Sequence, residues 1–436
     1  MLTAFGRAFK TPDLRNKLLF TLGIIVIYRV GVFIPAPGVS YGNVQQCLST
    51  VTATGGVYDM INLFSGGALL QLSIFALGVM PYITASIIVQ LLRVVIPRFQ
   101  QLHEEGAQGQ TKLTQYTRYL TILLALLNAT TIVSLARSGM LLQGCTLPII
   151  PDDGIWNILL IITALTAGTG VVMWLGEQIT EKGVGNGMSL LIFTSIAASF
   201  PSAFGSILQT QGWGIFSAVL AVGLLVIVAV VFVEQSQRRI PVQYAKRMIG
   251  RRTIGGTTTY IPLKVNMAGV IPIIFASSML MVPGLIARFN TPSDGSAPPE
   301  WVNWINTYLV MGDHPLYMTL YFLLILGFAY FYVSITFNTE EVAGNMKKYG
   351  GFIPGIRAGR PTQEYLSYVL NRITLPGAIY LALLALLPLV AFVLFGANQN
   401  FPLGGASLLI VIGVGLDTVK QIDAQLQQRN YEGLLR

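Results

Sequence analysis

The sequence has few charged residues: only 10% of its 436 residues are Asp, Glu, Lys or Arg. That is roughly half the share that a soluble domain carries. Hydrophobic residues make up 53%. A helix needs about 20 consecutive apolar residues to cross the hydrocarbon layer, and runs of that length dominate this sequence. We therefore predict an integral membrane protein.

Potential metal ligands are also scarce. The chain has two cysteines, Cys47 and Cys145, and two histidines, His103 and His314, too few for a zinc cluster or a haem pair. We expect no metal and no cofactor. Both cysteines fall in segments that we place outside the cytoplasm, so the two interpretations are a disulfide and, more simply, two unpaired thiols.

Catalytic motifs are missing as well. The sequence has no Gly-rich phosphate-binding loop and no nucleophile with a nearby base. We expect no enzymatic activity. The first apolar run, residues 18–37, follows two basic residues like a signal peptide, but it is too long and lacks a small-residue cleavage site, so we interpret it as a retained span.

Uninterrupted apolar stretches predict an all-α protein with ten spanning helices, which places both termini on the same side of the membrane. The predicted spans are residues 18–36, 73–95, 116–137, 155–175, 187–208, 214–234, 266–287, 316–337, 373–395 and 404–420.

The distribution of basic residues gives the orientation, since Lys and Arg are retained in the cytoplasm. If the N terminus is cytoplasmic, 24 of the 27 basic residues lie inside, and Arg29, Arg137 and Arg288 are the exceptions. The two long loops, residues 235–265 and 338–372, then also lie inside. We predict that both termini are cytoplasmic.

Two pairs of segments repeat within the chain. Residues 78–86 and 269–277 share six of nine positions, and residues 187–192 and 405–410 share five of six. Each pair is separated by five spans, so the second copy crosses the membrane in the opposite direction. This pattern is typical of inverted-repeat transport proteins. It predicts two halves, residues 1–208 and 209–436, with a functional site where they meet.

Each half carries one proline in its first repeated segment, Pro81 and Pro272. A proline inside a helix frees a backbone carbonyl one turn earlier, so we expect matched kinks in channel-lining or moving helices. The alternative is ordinary packing by small residues around two tolerated kinks.

The predicted spans hold no Asp, Glu or His deep in the membrane, which argues against a proton- or sodium-coupled carrier and against a ring of carboxylates. The repeats instead contain an apolar belt that could exclude ions by dewetting. The alternative is that these side chains only pack helix against helix. The belt is Val79, Ile83, Met188, Ile192, Val270, Ile274 and Ile410, with Ala406 in the matching position.

Residues 59–70 are too short to span and contain the pair Gly66-Gly67. Irregular backbone at membrane depth must be buried in protein or line a cavity, so one interpretation is a re-entrant half-helix that acts as a plug. The alternative is an amphipathic segment on the outer surface. The candidate plug residues are Asp59, Met60, Ile61, Asn62, Leu63, Phe64, Ser65, Gly66, Gly67 and Ala68.

Several long ungapped stretches resemble the SecY family, the pore-forming subunits of the bacterial general protein translocase. The resemblance runs from about residue 17 to the end of span ten. Its most specific stretches are NLFSGGAL (62–69), WLGEQITE (174–181), GNG (185–187), YAKR (244–247) and PLKVNMAG (262–269).

This resemblance implies two five-helix halves in a clam-shell, hinged between spans five and six, around an hourglass pore in the cytoplasmic membrane. The pore is closed by an apolar ring at the eight belt positions, of which Ala406 offers the least bulk, and by a plug on the outer side. Spans two, three, seven and eight form a lateral gate for signal sequences and membrane helices, and Pro81 and Pro272 belong to two of those spans.

The same resemblance implies partners. Lys246, Arg247, Arg251 and Arg252 match a loop tip that contacts the ribosome or the motor ATPase SecA. Arg357 lies in PGIRAG (354–359), which resembles a motif that supports the motor, with Ala358 where the family usually has proline. The small membrane subunits SecE and SecG and unfolded signal-bearing preproteins are also implied. Without the resemblance, the arginine-rich loop would be a retained basic loop without a partner, and a small-solute carrier would be the alternative function.

Overall fold

The computed structural model describes residues 11–50, 65–137, 147–152, 154–244, 247–249, 252–254, 258–290, 299–310, 314–395 and 405–432. These residues are mostly helical and divide into two compact units. One unit contains the described parts of Met1–Ser217 and Ile410–Arg436, and the other those of Ala218–Ala397 and Leu403–Leu409. The division into halves at residue 208 stays a prediction.

The first unit is built from helices α1 to α6, the first arm of α7 and most of the last helix, α13. α5 packs against both α3 and α6, and α1 packs against α6. A break at Gly212, with φ 77° and ψ 176°, separates the two arms of α7. The bounds are α1 Pro12–Val32, α2 Tyr41–Thr50, α3 Met80–Val95, α4 Pro97–Glu104, α5 Ala107–Arg137, α6 Ile155–Lys182, α7 Gly187–Gln235 and α13 Gly405–Glu432.

The second unit contains the second arm of α7 and helices α8 to α12, with α10 packed between α8 and α12. A single π-helical turn, Asn306–Val310, follows α9. The bounds are α8 Ile271–Phe289, α9 Glu300–Ile305, α10 Pro315–Thr336, α11 Thr339–Lys348 and α12 Arg360–Phe395.

The two long loops contain short strands, which the hydropathy pattern does not reveal. The bounds are β1 Gln237–Tyr244, β2 Arg247–Ile249, β3 Arg252–Ile254, β4 Thr258–Lys264 and β5 Gly351–Phe352. β1 pairs antiparallel with β4 and also with β5, and β2 pairs with β3. The pairing of β1 with β5 joins the two loops in one sheet. Ile240 and Leu263 of this sheet pack in one buried hydrophobic cluster with Leu366 of α12.

Five helices in the described part of the chain are long and apolar enough to cross a membrane, and a bent pair, Met80–Arg93 with Pro97–Glu104 at 98°, would make a sixth. Helices also cover most of the predicted spans 18–36, 187–208, 266–287 and 404–420. The total of ten spans stays a prediction. The five are Ala107–Arg137, Ile155–Lys182, Gly212–Gln235, Pro315–Lys348 and Arg360–Leu387.

Predicted span two begins later than expected, because Ser73 forms an isolated β-bridge with Pro35, residues 74–79 form turns and α3 starts only at Met80. Two backbone hydrogen bonds hold this segment beside the end of α1: Ala36 N donates to Leu72 O at 2.9 Å, and Ile74 N donates to Ile34 O at 2.9 Å. These contacts are made with a distant part of the chain, so local hydropathy does not reveal them.

Cys47 on α2 is buried and disulfide-bonded, so the unpaired thiol that we considered simpler is wrong for this residue. Cys145 is the other cysteine of the chain and lies outside the described residues.

Candidate functional site

The first pair of repeated segments forms the same local structure twice. Gly78 and Gly269 both have left-handed backbone, with φ of 54° and 61°. The next residue in each copy lies directly before a helix and accepts a hydrogen bond from its first turn: Val79 O accepts from Ile83 N at 3.2 Å, and Val270 O accepts from Ile274 N at 3.3 Å. The sequence repeat is therefore a repeated helix start, in which glycine supplies the turn.

The second pair also marks helix starts. α7 begins at Gly187 and α13 begins at Gly405, which are equivalent positions of the repeat. A side chain at Gly187 would collide with the carbonyl oxygen of Gly176 on α6, so the start of α7 requires a residue without Cβ. All four repeated segments thus place aliphatic residues in the first two turns of a helix.

Pro81 and Pro272 lie at the second residue of α3 and of α8, within the first helical turn. The structure therefore places both prolines at helix starts, whereas we expected them to kink helices in the middle. A proline in the first turn removes no helical hydrogen bond, and its fixed φ favours helix initiation. The two prolines match in position because both stabilise the same kind of helix start.

Most of the candidate ring residues are buried. Val79, Met188, Ile192, Ile274 and Ile410 are buried, and Ile83 and Val270 are half-buried. The side chain of Ala406 lies outside the described residues.

Met188 also has a packing role within the first unit. A Cβ on Gly176 would lie 2.5 Å from the Met188 Sδ, so the thioether fills the space that this glycine leaves on α6.

Of the candidate plug, Ser65, Gly66, Gly67 and Ala68 are described, whereas residues 59–64 lie outside the described part of the chain. Ser65 and Ala68 are buried, and both glycines have positive φ, 68° and 92°. The described backbone forms turns from residue 66 onward. Irregular backbone of this kind needs protein around it, which the burial provides.

Arg29 on α1 contacts this segment directly. Its Nη1 donates a hydrogen bond to Gly66 O at 3.3 Å, and its guanidinium lies over the Phe33 ring, 5.4 Å from the centroid. A Cβ on Gly66 would lie 2.9 Å from that nitrogen and 3.2 Å from the Ser195 Cα. Ser195 is in turn hydrogen-bonded to Tyr28 at 2.8 Å between the two hydroxyl oxygens. An arginine within a predicted span is a candidate functional residue.

The predicted partner-binding arginines lie in the two loops. Arg247 and Arg252 lie in the antiparallel strands β2 and β3, while Lys246 and Arg251 lie outside the described residues.

Arg357 lies in the second loop. It is exposed, and its carbonyl oxygen accepts from the Thr362 hydroxyl at 2.8 Å. That hydrogen bond ties the loop to the first turn of α12.

The structure also shows polar contacts that the sequence did not suggest. Arg118 on α5 forms an ion pair with Glu177 on α6, and Asn266 before α8 is hydrogen-bonded to Glu234 on α7. All four residues are polar and lie near the ends of predicted spans, and this position is the feature of the sequence that could have indicated these contacts. Within the described ranges, no group of three or more His, Cys, Asp or Glu residues is placed to hold a metal.

The fold matches solved structures of protein-conducting channels. One, "The structure of a protein conducting channel", aligns with a TM-score of 0.62 and 18% identity over 93% of this chain and 91% of that one. The Sec61 channel of a canine ribosome-channel complex from the endoplasmic reticulum aligns with a TM-score of 0.58 and 16% identity over the same shares. The chain thus has the fold of a polytopic helical channel.

A sequence model of the SecY family matches residues 73–419. Protein translocase subunit SecY of Micrococcus luteus is 64% identical over the full length of both chains, and that of Streptomyces galbus is 63% identical over the full length of both. The chain belongs to the SecY family.

Proposed function

We propose that this protein is the pore-forming subunit of a protein translocase. It passes unfolded, signal-bearing polypeptides across the cytoplasmic membrane and releases membrane segments sideways into lipid. The observation that carries this proposal is the set of four repeated helix starts, each lined with aliphatic residues. Their aliphatic side chains form a seal that excludes ions by dewetting and that opens around the varied side chains of a translocating polypeptide.

The candidate ring and plug act together in this proposal. The eight ring residues close the pore, and the segment 59–68 covers it on the outer side. In another solved channel of this fold, the plug domain of the SecY protein stabilises the closed state and maintains a membrane seal. The contact of Arg29 with Gly66 supports the same role here, because it holds the described end of the segment against α1.

The proposed partners are inferred from the basic residues of the two loops that we place in the cytoplasm. We assign the exposed Arg357 and the hairpin arginines Arg247 and Arg252, with Lys246 and Arg251, to docking of the motor ATPase SecA or the ribosome. The planar guanidinium group matches both carboxylates and phosphates, so the same arginines suit a protein partner and an RNA partner. SecE and SecG are the proposed membrane subunits.

The energy for transport comes from those partners, and the chain itself is a passive conduit without catalytic activity. The excess of basic residues on one side supports cytoplasmic termini. α3 and α8, whose first turns contain the matched prolines, are proposed as two of the lateral-gate helices.

Reconstitution tests this function. Vesicles that contain the channel and its membrane subunits should take up an unfolded, signal-bearing precursor only when the motor and ATP are present. The same vesicles should not accumulate small solutes. Solute uptake without a motor, together with no movement of precursor, would show a carrier and overturn the proposal.

A further inference from the structure

Asn266 forms the turn that precedes α8. Its side-chain oxygen accepts a hydrogen bond from Gly269 N at 3.0 Å, which closes the turn on the left-handed glycine. Its side-chain nitrogen donates to the Glu234 carboxylate at 2.7 Å. Asn266 is buried, so both ends of its amide are used inside the protein.

The backbone around Asn266 is held on two further sides. Val265 N donates to Ser236 O at 3.1 Å, which joins the turn to the chain just after α7. On the other side, a Cβ on Gly377 of α12 would collide with Val265 O and would lie 3.8 Å from the Asn266 Cα. The turn therefore has little freedom to move while the amide of Asn266 keeps its two partners.

The equivalent turn in the first repeat is closed in another way. There Gly78 N donates to the backbone carbonyl of Phe75 at 2.8 Å, and Phe75 stands where the second copy has Asn266. The Phe75 ring stacks on Tyr28 with 5.8 Å between centroids. The first turn is thus closed by a backbone hydrogen bond and ring packing, whereas closure of the second turn uses the Asn266 side chain, whose pairing with Glu234 a single substitution can break.

We propose that the hydrogen bond between Asn266 and Glu234 is a positioning device for the start of α8. It sets where Val270 and Ile274 sit and thereby how tightly the resting channel is sealed. Val270 follows the turn directly, and Ile274 lies one helical turn later, so a change at Asn266 moves both. This inference deepens the proposed function and rests on it, because the seal matters only in a protein-conducting channel.

The test replaces the attraction in this pair by repulsion and then restores it. In Asn266→Asp, the new carboxylate still accepts from Gly269 N but faces the Glu234 carboxylate. In the double variant Asn266→Asp with Glu234→Gln, the Gln amide donates to the Asp carboxylate, so the hydrogen bond returns with its direction reversed. Glu234→Gln alone keeps an acceptor for Asn266 and is the matched control.

We expect the resting ion conductance of bilayers that contain the complete channel complex to rise about tenfold in Asn266→Asp. The free energy lost with a charge-assisted hydrogen bond changes the population of the sealed conformation by about that factor. The double variant and Glu234→Gln alone should stay within about twofold of wild type. Asn266→Asp should also pass a precursor with a defective signal sequence that the wild type excludes. Glu234→Leu, which removes the acceptor without adding repulsion, provides a second variant if Asn266→Asp does not assemble.

A conductance in Glu234→Leu and Asn266→Asp equal to that of wild type would overturn the inference, as would a double variant as leaky as Asn266→Asp. Motor-driven transport of a normal precursor by the wild type is measured in parallel. If the wild type moves no precursor, the proposed function itself fails. If it does and the variants show no leak, only the positioning role fails.

Discussion

The guanidinium of Arg118 on α5 donates two parallel hydrogen bonds to the carboxylate of Glu177 on α6, from Nε to Oε1 at 2.8 Å and from Nη2 to Oε2 at 2.9 Å. The Glu177 side chain is only 16% exposed, against 42% for Arg118. A bidentate pair of this kind fixes both distance and orientation. It therefore holds α5 to α6 near the predicted cytoplasmic side.

Replacing Arg118 by Gln should destabilise the channel by about 1–3 kcal/mol, because a largely buried carboxylate loses both charged donors. Thermal unfolding of the purified channel in detergent measures this. The surface pair of Arg360 and Glu364, whose side chains are 87% and 66% exposed, is the control. Arg360→Gln should cost at most about 0.5 kcal/mol, since solvent screens exposed pairs. Equal losses at the two sites would contradict the role of Glu177 burial.

Arg29→Gln should raise the resting ion conductance several-fold, because Gly66 of the candidate plug loses its hydrogen bond to α1. Single-channel recording in planar bilayers measures the change. Phe33→Leu removes the ring beneath the guanidinium but leaves the bond to Gly66, so its conductance should match wild type. A leak in Phe33→Leu and none in Arg29→Gln would contradict the assignment.

Gly176→Ala should destabilise the channel by about 1–3 kcal/mol, because the new methyl group displaces Met188 and overpacks the contact between α6 and α7. Gly170 lies on the same helix with open space around it, so Gly170→Ala is the matched control and should be neutral or slightly stabilising. Thermal unfolding separates the two. Because Met188 is a candidate ring residue, Gly176→Ala should also raise resting conductance, whereas Gly170→Ala should not.

Gly269→Ala should cost about 1 kcal/mol, because a Cβ disfavours the left-handed backbone although nothing lies within 4 Å of it. Gly269→Asn should recover part of that loss, since asparagine tolerates this conformation. Gly413→Ala, at an uncrowded position within α13, should show no loss. A similar cost at Gly269 and Gly413 in denaturation experiments would show that backbone conformation does not explain the repeat.

Some of these features could be predicted because they depend on local chemistry. Long apolar runs specify helices, since the membrane leaves no other way to pair the backbone groups of a spanning segment. Repeated glycines and prolines identified the equivalent segments, because left-handed turns and helix starts favour those two residues. The family resemblance rested on stretches such as 262–269, which contain both kinds of signal.

Other features were decided only by tertiary structure. Whether Pro81 and Pro272 kink a helix or lie in its first turn depends on where the preceding residues pair, and before α3 residues 74–79 form turns beside the end of α1. The partners of Arg29, Arg118 and Asn266 lie 37, 59 and 32 residues away along the chain. A hydrogen bond between residues so far apart in sequence depends on packing geometry, which hydropathy, charge and spacing do not contain.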